Sequence, residues 1–575
     1  MPNEDFQDQS TAVSLPGEGA GRWAREYLPV LLFALLMLCV VPMRDLWSPD
    51  EPDFAQCVKE MQQRGTWLLP WLNGQVYTEK PILYYWAMKA ANQGFAWLTG
   101  GLGFSHGVAA WALRLPSAVG SVAFLLAFQR WGARFLQVGV ARLAVMILAV
   151  SPLWFWQSQF IQIDLFFSVL LAWAWLCWLG GYLLQRGIKP ERTPGEAGRW
   201  FLKGYLFLGL AFLAKGPLAA VLSLLVLAAF LAWQRDGGIL KEMRLGTGLG
   251  LFLLVVAPWY VVASVVGGKE YAYALIIHQN FERATKAWDH IQPWWRYFEY
   301  MLGDFFPWVF LLPALAFFLK GSGALRSAGA RFLTVAFVVP FLFLSWAQSK
   351  QGKYLLPSYP FLALLLAGML QPLAVEGVSA ARIRRMGLGL AAAVGLVGLA
   401  LLAVAAGVGG AKVQADLGTL RPMVWVLGGI GTLGGLSLLG RSLSGQGRHL
   451  VPETALALGL MYLVGGTWGF KVLDGRKGYQ AWTAAAKPVL AGRKTWFWGE
   501  IRSGGMIYLD TLMPELRATP ELQQVGPEDR LVVIASRWRP GYQGLDKAAM
   551  AEFEPVLVQL QGEDRWLVMA RKPKA

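Results

Sequence analysis

Two adjacent carboxylates, Asp50 and Glu51, open a stretch of charged and aromatic residues that runs to Tyr85 between two apolar runs. A carboxylate beside a cation follows in the same stretch, at Glu79 and Lys80. Farther along the chain, Asp164, Lys215, His278, Arg283, His290, Lys350, Lys353 and Tyr354 stand in or beside apolar sequence. A carboxylate within reach of a hydroxyl can take its proton or aim it. Guanidinium and ammonium groups can hold an anion such as phosphate, the former through two parallel bonds. Ionisable groups at membrane depth are costly and usually functional, so their gathering on one face would mark a reaction site. None of these short motifs is specific singly.

Whether they gather depends on the segments that carry them. The 575 residues are 55% hydrophobic and only 15% charged, with 28 Trp and 32 Phe, and mean hydropathy is +0.42. A soluble chain of this length would carry more charge. Apolar runs recur near residues 28–43, 108–128, 143–158, 165–184, 204–214, 217–233, 246–266, 305–319, 332–347, 355–371, 387–407, 422–440 and 451–469. At ~20 residues per crossing these predict a polytopic α-helical membrane protein of about thirteen spans.

The formal net charge of +16 would suit a nucleic acid, but the basic residues sit in short links between apolar runs. Arg22 and Arg25 precede the first run, Arg130, Arg134 and Arg142 follow the second, and Arg186, Lys189 and Arg192 follow the fourth. The alternation continues at Arg235 and Lys241, Lys320 and Arg326, Arg382 and Arg384, and Arg441. This is the positive-inside bias. It predicts a cytoplasmic N-terminus, an exported C-terminus and no nucleic-acid partner. The first run lacks a small-residue cleavage site and reads as an uncleaved signal anchor. With this topology the candidate residues from Asp50 to Lys353 all fall at outer ends of spans or in outer loops.

Each candidate also has a purely structural reading. Ser48, Pro49, Asp50 and Glu51 form a helix start, and Phe54, Cys57, Val58 and Met61 give that helix an apolar stripe ending at Gly65. On that view Asp50 and Glu51 complement a helix dipole. Asn73-Gly74 predicts a hairpin turn, which places Glu79 and Lys80 just before a helix opened by Pro81. A cation there suits an anionic ligand, or it forms an interfacial ion pair with Glu79. Asp164, with only glutamines as polar neighbours at the start of a span, reads as functional, whereas Lys215 in LAKGPL reads as snorkelling to the surface. The three cysteines, Cys39, Cys57 and Cys177, show no pairing pattern. Residues 1–21 are polar, Gly-rich and expected to be disordered. From about Lys471 short β-rich runs at Thr495–Trp498 and 531–535, with helices at 480–491 and 546–553, predict a small α/β domain.

The order of these motifs resembles a family. DEP at Asp50 to Pro52, its continuation into WLLPWLNGQVYTEKPILYYW, the later FLAKGP, the loop with His278 and Arg283, and KYLLP at Lys353 to Pro357 are similar to the bacterial aminoarabinose transferases. These are lipid-linked-sugar glycosyltransferases related to the protein O-mannosyltransferases. The likeness covers most of residues 28–370 and is most specific in the first loop. It implies the GT-C membrane fold with two juxtamembrane helices in that loop. The domain plan becomes a cytoplasmic tail (1–26), a transmembrane glycosyltransferase domain (27–470, first loop 44–107) and a periplasmic α/β domain (471–575).

The resemblance further implies an undecaprenyl-phosphate-linked donor of 4-amino-4-deoxy-L-arabinose or a hexose. Transfer would go to lipid A or another lipid or glycan acceptor, on the periplasmic face of the inner membrane among its lipids. Carried over by position, Asp50 matches the acidic residue of the reaction centre and Asp164 a second acidic position, with Glu51 beside Asp50 as a third catalytic candidate. Lys80 and Arg283 match cations that hold the lipid phosphate, and Lys353 and Tyr354 join the donor side. Glu79 and His278 match a pair that can hold a divalent metal such as zinc. Two protein ligands are too few for a closed zinc site, so that metal reads as structural or adventitious. The family's DEPRYA is DEPDFA here, and Asp53 and Phe54 therefore bear on acceptor choice. The alternative is a transporter or flippase of lipid-linked sugars, which commonly builds its site at mid-membrane from broken helices.

Overall fold

The computed structural model describes residues 19–47, 50–102, 107–276, 290–374, 379–499, 504–536, 550–561 and 564–573. Every one of the thirteen apolar runs lies on helix. Among the described residues nine helices are long and apolar enough to cross a membrane, and two bent pairs raise this to eleven. The first pair, Val138–Ala149 with Pro152–Ser158, turns by 70°, and the second, Arg296–Asp304 with Trp308–Gly321, by 115°. Pro152 follows an extended Ser151 at the first break, where proline can start a helix but not continue one. Leu218–Gln234 is apolar but only 17 residues long.

Burial ranks these helices. In Ile163–Gln185 and Gly352–Leu373, 83% of the most apolar window is enclosed by protein, against 17% in Leu245–Ile276. Asp164 and Lys353 thus start the two most enclosed spans, while the third lies at the periphery. Elsewhere, Ala380–Ala405 and Arg421–Leu443 approach so closely that a Cβ on Gly398 would come within 2.2 Å of the Thr432 nitrogen. Small residues permit such contact in membranes.

The first loop folds as its turn residues dictate. Helix Asp50–Gln63 stops before Gly65 (φ +66°), and strands Trp71–Leu72 and Gln75–Val76 pair antiparallel. Asn73 and Gly74 both have positive φ, 53° and 78°, as a two-residue hairpin of the primed type requires. Helix Leu83–Thr99 then closes on a left-handed Gly100, so both juxtamembrane helices are present. Ser48 and Pro49 of the expected cap lie outside the described residues.

Helix Leu450–Val464 continues through a wider turn, Gly465–Gly469, into Phe470–Lys477, past Lys471, and a polar α/β segment follows. Its five-stranded sheet has the order Glu515–Leu516, Thr495–Trp498, Arg530–Ser536, Asp564–Arg571, Phe553–Gln561, parallel in the first two pairings and antiparallel in the last two. Helix Gln480–Leu490 covers one face, setting Trp482 against Trp566 at 4.8 Å between ring centroids. Of the helix expected at 546–553, Met550 is helical and the strand begins at Phe553. Residues 546–549 lie outside the described residues, and Phe553 opens a strand because its segment pairs along Asp564–Arg571, a long-range contact that overrides local preference.

Candidate active site

Four segments converge where the first loop meets the membrane helices. Asp50 is the first residue of its helix, Asp164 lies in the first turn of Ile163–Gln185, and Lys215 ends helix Glu196–Lys215, which Gly216 (φ +82°) terminates. Lys353 sits in the 3-10 turn Gly352–Ser358. Together they alternate in sign. Lys353 Nζ lies 3.2 Å from Asp50 Oδ2 and 3.6 Å from Asp164 Oδ2, and Lys215 Nζ pairs with Asp164 Oδ1. Gln162 also donates to Asp50. Asp164 is 5% exposed and Asp50 31%, so Asp164 is the enclosed member and Asp50 the one open to a substrate.

Tyr354 lies under Lys215, whose Nζ is 4.5 Å from the ring centroid, a cation–π contact. Lys215 therefore does not snorkel. The packing of helix Ile163–Gln185 against Glu196–Lys215 turns it inward to Asp164. Lys80 lies 4.0 Å from Glu79 and near enough to Asp164 for its charge to act there. Lys350 is elsewhere: it is buried and donates to the Gln292 and Ala347 carbonyls.

Glu51 points the other way from Asp50. Its carboxylate is fully buried and accepts from Arg44 (Nη1 2.5 Å, Nη2 3.0 Å), Arg114 (Nε 2.9 Å, Nη2 2.8 Å), and the backbone N–H groups of Trp47 (3.0 Å) and Ile161 (2.9 Å). Burial alone would raise its pKa, but the two guanidiniums hold it down at about 2. Sealed from any substrate, Glu51 fixes the start of Asp50's helix to the 159–162 loop, which carries Gln162 and leads into Asp164. Arg44, Arg114 and Gln162 complete the arrangement without being visible as site residues in sequence. The available signal was Arg114, a lone charge inside an apolar run.

His278 and Arg283 lie outside the described residues. Among the described residues no three His, Cys, Asp or Glu side chains converge as a metal would need, and the Glu79 carboxylate is shared with Tyr77 and Lys80. With His278 outside the described residues, the Glu79–His278 pair stays as the resemblance implies it, and no step is routed through a metal. An apolar cavity of about 600 Å³ has a wall that includes Trp156, Met461, Tyr462, Phe470 and Asp304. Asp304 abuts Gly352, where an added Cβ would meet its Oδ2 at 2.4 Å. Asp304 thus stands between the cavity and Gly352.

The family model described as dolichyl-phosphate-mannose-protein mannosyltransferase matches residues 80–261. Among curated proteins, the undecaprenyl phosphate-alpha-4-amino-4-deoxy-L-arabinose arabinosyl transferase of Pectobacterium carotovorum is 32% identical over 350 residues, 60% of this chain and 59% of that protein. The match therefore spans less than two thirds of that relative. Its namesake in Edwardsiella ictaluri is 28% identical over 474 residues, 80% of this chain and 79% of that protein. In three dimensions the chain superposes on ArnT from Cupriavidus metallidurans, solved bound to undecaprenyl phosphate, with a TM-score of 0.72 at 20% identity, covering 96% of this chain and 98% of that one. By sequence over about 60% of its length the chain is similar to aminoarabinose transferases, and along nearly its whole length it has the fold of ArnT.

Proposed function

We propose that the protein is a glycosyltransferase that moves a sugar from an undecaprenyl-phosphate donor to lipid A or another envelope acceptor, at the periplasmic face of the bacterial inner membrane. The observation that carries this reading is the alternating cluster Asp50, Lys353, Asp164, Lys215 at helix ends, with Lys80 beside it. A lipid-linked-sugar transferase needs those charges. As the bond from sugar C1 to the phosphate oxygen breaks, negative charge grows on the departing polyprenyl phosphate, and a preplaced cation in a partly dry site stabilises it. Lys80 is assigned that role among the described residues. The acceptor oxygen attacks C1 from the side of Asp50, the more open carboxylate. For a hydroxyl acceptor Asp50 takes the proton. For a phosphate acceptor, already anionic, it orients the acceptor or holds a donor amine.

Lys353 and Lys215 hold both carboxylates in place, because the pairs compensate charges that would be costly alone in this setting. The apolar cavity walled by Trp156, Met461, Tyr462 and Phe470 is suited to a lipid chain. A flippase would also need intramembrane charge, but this cluster sits at the ends of spans rather than across a mid-membrane break.

Mass spectrometry of lipids and envelope glycans from deletion and complemented cells tests the reading. A sugar-bearing species lost on deletion and restored on complementation supports it, and identical profiles contradict it. Lys80→Ala is expected to weaken undecaprenyl phosphate binding by about 1.5 to 3 kcal/mol, roughly one to two decades in Kd. Titration of the lipid into purified protein checks this, and unchanged affinity removes Lys80 from the donor site.

A further inference from the structure

The C-terminal domain grips the first loop at several points. Lys59, nine residues along the helix that Asp50 starts, is 3% exposed, donates to the Ile507 carbonyl at 2.6 Å and forms an ion pair with Asp510. Asn73, at the hairpin turn, exchanges two hydrogen bonds with Met513. Its Nδ2 donates to the carbonyl at 2.8 Å, and the Met513 N–H donates to its Oδ1 at 3.1 Å. Tyr508 donates to Asp45, in the link before the helix. Ile507 is fully buried in the loop's own core among Phe54, Met61, Tyr84 and Tyr85. Within the loop, Glu60 ties helix to turn, accepting the N–H groups of Asn73 at 2.6 Å and Gly74 at 2.9 Å.

These contacts reach two parts of the site. The helix carries Asp50, and the chain leaving the hairpin carries Lys80. A buried ammonium and a paired amide are costly if the partner moves away, so a seated 507–513 adds to Glu60 in holding the two halves of the loop at one separation. We propose that residues 507–513 of the C-terminal domain act as a positioning element that sets Asp50 relative to Lys80, with Lys59 and Asn73 as its receivers. The inference rests on the transferase reading above.

The test is Asn73→Gly in the full-length protein. Glycine adopts the positive φ of this turn without penalty, so the hairpin survives while both bonds to Met513 are lost. Three results are expected. Hydrogen exchange accelerates in residues 70–80. Turnover with an undecaprenyl-phosphate-linked sugar drops roughly ten- to hundredfold, as a misplacement near 1 Å does. The donor KM stays within about threefold, because the lost interaction is not with the donor. Asn73→Asp, which keeps the acceptor for Met513 and loses the donor, falls between. Wild-type exchange in Asn73→Gly, wild-type turnover despite faster exchange, or a raised KM with unchanged turnover each overturns the proposal. Absence of transfer by the wild-type protein overturns instead the transferase reading on which it rests.

Discussion

Asp50→Asn is expected to fold, to bind donor within about a factor of three of wild type, and to lose turnover by roughly 100- to 10,000-fold. Asparagine has nearly the same size and caps a helix as well as aspartate does, so the start of Asp50–Gln63 is preserved. The carboxylate is 31% exposed, and its ion-pair partner Lys353 keeps a second carboxylate at Asp164. The lesion is therefore confined to the negative charge to which the proposed function assigns the acceptor. Turnover, donor affinity and unfolding midpoint from one preparation decide the matter. Normal turnover would return Asp50 to a helix-capping role, and an equal loss of donor affinity would place it on the donor side.

Glu51→Gln, one residue away, is expected to act on stability rather than on chemistry alone. It removes the only carboxylate contacting the guanidiniums of Arg44 and Arg114 among the described residues. Breaking a buried charge pair costs about 3 to 5 kcal/mol, a large fraction of the stability of a typical folded protein. The pH dependence follows from the sign of the shift. The Glu51 carboxyl is held at about 2, below its ordinary 4.5, so its stabilisation is complete above about pH 4.5 and is lost as pH falls toward 2. Wild-type protein in detergent should lose unfolding midpoint across that window. Glu51→Gln should start lower and lose less there. A midpoint unchanged by the substitution would show that the buried node contributes nothing net.

The contrast between these neighbours shows where sequence reading reached and where it stopped. Asp50, Lys80, Asp164 and Lys353 could be singled out because ionisable residues at the ends of apolar runs are rare enough to notice. Asn73-Gly74 forecast its hairpin, and the runs at Thr495–Trp498 and 531–535 forecast strands, because turn chemistry and β-rich composition act locally. Glu51 was grouped with the catalytic acids because its burial depends on Arg44 and Arg114, seven and 63 residues away, and no local pattern reports such a pairing. Lys215 was read as snorkelling for the same reason: its partner Asp164 is 51 residues earlier, on the helix packed beside it. The grip of the C-terminal domain on Lys59 and Asn73 spans more than 400 residues and left no trace in composition or spacing.

The central claim is that the charged cluster transfers a sugar rather than escorting it. Purified wild-type protein reconstituted in liposomes with an undecaprenyl-phosphate-linked sugar and a lipid A acceptor, without ATP, tests it most directly when lipid products are followed by mass spectrometry. The account predicts sugar-modified acceptor and released undecaprenyl phosphate in equal amounts, both reduced to near background in Asp50→Asn. Movement of the intact donor between leaflets, with no transfer to this or any other envelope acceptor, would contradict it.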